Sequence, residues 1–141
     1  MILLAIGVFL ACGLVYAEAA KQGLFAPSNA SVFMSENLKK VCATSDPPQW
    51  TSKACNLNVS VPEYTKFSPY AYSLDVILPI VSLKQREDWQ PIHRPLEMGF
   101  AGLSAQLPPY FLRGLVWFES IFAWVWTLSL SAVAIGIIKR D

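Results

Sequence analysis

From Gly114 to Ile138 the sequence GLVWFESIFAWVWTLSLSAVAIGII contains one ionisable side chain, Glu119. A run of about 25 such residues reaches roughly 37 Å as a helix, enough to cross a hydrocarbon core of about 30 Å with tilt. Few soluble folds bury so long an apolar run. Arg113 precedes it and Lys139-Arg140 follow, while Trp117, Trp124 and Trp126 crowd its first half. Amphipathic rings favour the headgroup level, and basic residues favour the cytoplasmic side, which places the C-terminus inside.

A second apolar run opens the chain. Met1 to Ala17 carries no charged side chain, and the stretch ends at Lys21. It is long enough to span with little to spare. Ala17-Glu18-Ala19 also fits a signal-peptidase site, and Leu10-Ala11-Cys12 faintly fits a lipoprotein box. No lysine or arginine stands before the run, so a retained helix is the expectation. Small residues spaced four apart allow close helix approach in lipid: Gly7 with Ala11, Gly13 with Ala17, and Ala132 with Gly136. They predict a hairpin of two packed helices.

Both apolar runs explain a composition of 54% hydrophobic and 15% charged residues in 141. The net charge of +1 presents no basic face for nucleic acid. The expected fold is therefore a mainly α membrane protein. Residues 1–20 and 114–138 cross, 21–113 form an extracytoplasmic domain of about 90 residues with short helices and a short strand, and 139–141 are a cytoplasmic tail. Glu119 lies about six residues, roughly 9 Å, past Arg113, where it can snorkel or pair near the interface. A polar contact to a partner or a proton-accessible site is the alternative reading.

In the central domain, Cys42 and Cys55 are thirteen residues apart in a polar segment. An oxidising compartment would join them, closing a loop that stabilises the fold by about 3 kcal/mol. Cys12 reads as an inert apolar residue. One histidine and no second cysteine pair argue against a metal site, and neither a Gly-rich dinucleotide loop nor a haem motif is present, so no cofactor is expected. Asn29-Ala-Ser31 and Asn58-Val-Ser60 are sequons that matter only in a glycosylating host. SVFMSENLKKV reads as a helix capped by Ser28 or Ser31, NLNVSV as a strand, and LEMGFAGLSAQL as an amphipathic helix near the membrane surface.

Residues 72–83 are apolar but too short to cross. They read as an interfacial or buried helix begun by Ser73 or Asp75 and broken at Pro79, with Trp89 anchoring at the headgroups. Leu74, Asp75, Pro79, Val81, Leu83, Gln85, Trp89 and Pro91, followed by the aromatic helix and basic tail, resemble the C-terminal region of bacterial membrane-associated proteins that often carry pentapeptide repeats. Some of those are labelled membrane-associated oxidoreductases. The resemblance implies helix, periplasmic loop, LDxxxPxVxLxQxxxWxP motif, helix and cytoplasmic tail in the bacterial inner membrane. It supplies no redox chemistry to these residues, and this chain has no pentapeptide repeat.

Three functions fit the sequence. A non-catalytic subunit would dock on other integral membrane proteins of a photosynthetic, respiratory or transport complex. A homo-oligomeric channel would use Glu119 and the hydroxyls of Thr127, Ser129 and Ser131. An enzyme would use His93 with Glu97 as its acid-base pair, with Asp75 as a candidate third group.

Overall fold

A computed structural model describes residues 2–42, 44–46, 48–52, 55, 63–78, 80–100 and 103–138. The chain is mainly helical, and two helices are long and apolar enough to cross a membrane. Helix α1 runs Ile2–Lys21. It leads through the positive-φ Gly23 into strand β1, Phe25–Pro27. Helices α2 (Ala30–Met34) and α3 (Glu36–Cys42) follow. The single helix expected over 31–41 is thus interrupted at Ser35, whose carbonyl accepts the first hydrogen bond of α3 from Lys39 N. Ser followed by Glu is a helix start, and here it overrides continuation.

Cys42 and Cys55 are joined by a disulfide and both are buried. The strand expected over 56–61, the sequon at Asn58, Pro79 and the tail Lys139-Arg140 lie outside the described residues. Helix α4, Pro69–Ile77, begins three residues before the apolar stretch. Its cap is Ser68, whose Oγ accepts from Ala71 N, with Pro69 at the first helical position. Neither Ser73 nor Asp75 is the cap. The Ser68-Pro69 pair outcompetes them because proline cannot use its missing donor later in a helix but loses nothing at the start.

After α4 come the short helix α5, Gln85–Asp88, and strand β2, Trp89–Pro91. β2 pairs antiparallel with β1 in the register Phe25↔Pro91 and Pro27↔Trp89. Residues 96–107 are not a helix. They form the antiparallel strands β3, Leu96–Phe100, and β4, Leu103–Leu107, with Leu96 opposite Leu107. Leu96, Met98 and Phe100 alternate with Glu97 and Gly99, a period of two that a helix cannot sort onto one face. Helix α6, Phe111–Ile138, starts three residues before the apolar run and one residue after Pro108-Pro109.

The decisive packing feature is the position of α4. It packs extensively along α1 and also against α6, whereas α1 and α6 touch each other less. Tyr70 lies against Phe9 and Gly13, Tyr72 against Tyr16, and Leu74, Ile77 and Leu78 share a cavity of about 200 Å³ with Ile2, Ala5, Ile6, Phe9 and Trp126. As α4 numbers rise, their α1 neighbours fall, so the two helices run antiparallel.

This wedge removes the expected small-residue seam between the long helices. An added Cβ at Gly13 would stand 2.5 Å from the Tyr70 ring, so this glycine serves α4 and not α6. Gly7, Ala11, Ala132 and Gly136 are exposed, and an added Cβ at Gly7 or Gly136 would meet open space. Ala17 is half-buried and lines a shallow depression with Lys21, Gln49 and Pro69. At Gly13 the seam fails because α4 occupies the space it would have closed, while Ala132 and Gly136 lie beyond Trp126, where α4 ends, and are exposed.

Candidate functional site: a buried polar node between three helices

Leu112, Val116, Glu119 and Ala123 form the buried stripe of α6, at helical spacing. Glu119 is fully buried, not snorkelled, and Arg113 is exposed and apart from it. Tyr16 OH on α1 donates to Glu119 Oε2 at 2.7 Å, and Ser73 Oγ on α4 donates to Glu119 Oε1. The Ser73 hydroxyl also lies 3.3 Å from the Phe9 carbonyl of α1, and the Cys12 thiol faces the same carboxylate. One side chain therefore ties all three helices. Distance along α6 located Glu119 near an interface, but only the fold brings the two hydroxyls to it.

An aromatic cluster closes one side of the node. Tyr16 and Tyr72 meet edge-on at 5.1 Å, Phe25 lies 5.1 Å from Tyr72 and 4.6 Å from Phe67, and Phe67 lies 5.4 Å from Trp89. Such pairs add about 0.5–1.5 kcal/mol each beyond their buried area.

The motif residues prove to be latches on the backbone. Asp75 is buried near the end of α4, and its carboxylate accepts from Leu83 N at 2.7 Å and Arg86 N at 2.8 Å. It thereby fixes the return of the chain and the first turn of α5. Gln85 accepts from Ser68 N and donates to the Lys66 carbonyl. Trp89 is buried, not at a headgroup surface, and its indole N–H donates to the Thr65 carbonyl at 2.9 Å. Asp88 accepts from Thr65 N and Oγ1 through its carboxylate. Pro91 sits in the β1–β2 pairing, while Leu74, Val81 and Leu83 remain exposed. Asp75, Gln85 and Trp89 are thus spaced to hold segments 65–68 and 83–86 together, a role that their side-chain chemistry suits and their sequence spacing alone does not display.

The His93–Glu97 pair and the candidate third group Asp75 have separate partners. Asp75 serves two amides, His93 is exposed and packs edge-on against Tyr110, and Glu97 is exposed in β3 with its amide donating to Gln22 Oε1. Among the described residues, no three His, Cys, Asp or Glu side chains group as metal ligands. No family model, curated protein or solved structure matches the chain.

Proposed function

We propose that this chain is a non-catalytic integral membrane subunit that docks on and stabilises a larger bacterial membrane complex of photosynthetic, respiratory or transport type. In this reading α1 and α6 both cross the cytoplasmic membrane, both termini are cytoplasmic, and residues 21–113 are periplasmic, where the Cys42–Cys55 bond is chemically at home. Retention of α1 is supported by Tyr16 and Ala19, which are fully buried in the body that a cleaved signal would leave.

One observation carries the reading. Past Ala123, α6 exposes Trp124, Val125, Leu128, Leu130, Val133 and Ile135, so an apolar helix surface emerges from the body with little of its own chain against it. Such a surface needs lipid or other subunits around it. The buried polar groups, by contrast, are consumed internally: Glu119 and Asp75 each have both carboxylate oxygens occupied. The channel reading draws less support, since Ser129 and Ser131 donate to Val125 and Thr127 carbonyls of their own helix, a habit of membrane-helix hydroxyls.

Purification in a mild detergent followed by native mass analysis tests the proposal. The expected result is co-purification with foreign membrane subunits in fixed stoichiometry. A closed ring of identical chains with no foreign subunit would overturn it in favour of a channel.

A further inference from the structure

Helix α4 does not lie across the ends of α1 and α6. It runs beside them, from the level of Phe9 and Glu119 at its Ser73 to the level of Ile6 and Trp126 at its Leu78. Trp126 is about 13 residues, roughly 20 Å, past Arg113 and three residues past Ala123, the last buried residue of α6, so it lies inside a hydrocarbon core of about 30 Å if α6 crosses. Leu78, beside Trp126, then lies below the hydrocarbon boundary.

The chain then turns back. Ile80 is 86% and Val81 50% exposed, both apolar, before exposed Lys84 and Arg86 return the chain to polar residues. Beside them the exposed side chains of α1 (Ile2, Leu3, Leu4, Ile6) and of α6 (Trp124, Val125, Leu128) continue the same apolar belt. No charged residue occurs in 76–83.

Backbone groups at such depth need partners from the protein. Leu78 N donates to the Leu74 carbonyl, Val81 N to the Leu78 carbonyl, Leu83 N to Asp75 Oδ1 and Lys84 N to Ser82 Oγ. Asp75 can reside there because its charge meets two amides. Lys84 and Arg86 have stems long enough to reach water from just below the surface.

From this we infer that α4 and the turn after it form a re-entrant hairpin, entering and leaving from the side of the folded domain, with its Ile80-Val81 tip solvated by lipid hydrocarbon. The inference rests on the two-crossing reading. Its partner is the acyl-chain region of the bilayer and not a soluble ligand.

Nitroxide labels in phosphatidylcholine–phosphatidylglycerol vesicles test it, by comparing collisions with oxygen and with a water-soluble nickel chelate. Ile80→Cys is the tip label, Val81→Cys the second tip label should the first perturb folding, Leu128→Cys the lipid reference and Asn37→Cys the water reference. The unsubstituted chain controls for labelling of buried Cys12. The expected result is a tip that matches position 128, with oxygen collisions exceeding nickel collisions several-fold. A tip that matches position 37 while 128 stays in lipid would overturn the hairpin and leave the crossings intact. A tip shielded from both reagents would also overturn it, since protein would then cover the tip. If position 128 itself reports water, the crossing reading falls and takes the hairpin with it.

Discussion

Glu119→Ala is expected to lower the unfolding free energy by about 2–4 kcal/mol, because it opens a cavity and leaves two buried hydroxyl donors without their acceptor. Tyr16 OH and Ser73 Oγ both point at this carboxylate from other helices, so the loss falls on the contact among all three. Tyr16→Phe should cost less, about 1 kcal/mol, since hydrogen bonds between membrane helices average only about 0.6 kcal/mol. The cavity and the orphaned donors, and not any single bond, thus dominate the Glu119 effect. In the double variant the Tyr16 change should add little, because its partner is already gone. Reversible denaturation in detergent micelles measures all three. A Glu119→Ala protein as stable as the unsubstituted one would remove the node from the account.

The second large effect is local. Asp75→Ala withdraws the acceptor from the amides of Leu83 and Arg86. If the two bonds together contribute about 2.7 kcal/mol, the opened form of residues 78–86 becomes about a hundredfold more populated. Trypsin cleavage after Lys84 and Arg86, both exposed, reads that population directly. Asp75→Asn keeps one acceptor oxygen and should fall between the two. Unchanged cleavage in Asp75→Ala would show that the turn is held by other contacts.

The long elements were legible because a helix of about 25 apolar residues admits few alternatives. Lone short segments were not, for reasons that differ from one to the next. At 96–107 the two-residue alternation was present in LEMGF and LSAQL, and reading Gly99 as a helix defect instead of a strand residue hid it. At 68–69 the Ser-Pro pair is a strong helix start that lay just outside the apolar run, so attention fell on Ser73 and Asp75. Glu119 and Asp75 were visible as isolated acids, but their roles depend on donors 46 to 103 positions away or on main-chain amides across a turn. A sequence pattern of Asp, Gln and Trp at ten- and four-residue intervals carries no mark of which backbone groups it will hold.

The insertion of α4 also explains why small-residue spacing misled. Gly13 is used for close approach, yet to a nine-residue helix that no hydropathy window singles out. The same insertion links the polar node and the latches to the proposed membrane placement, in which the long helices cross a bilayer and the folded body stands on one side of it.

That placement is tested most directly by labelling Asn37→Cys, exposed on α3, with a membrane-impermeant maleimide in sealed spheroplasts and following the chain through an alkaline carbonate wash. The account predicts labelling before lysis and a labelled chain that stays in the washed membrane pellet. Labelling only after lysis, or release of the chain by carbonate, would contradict it.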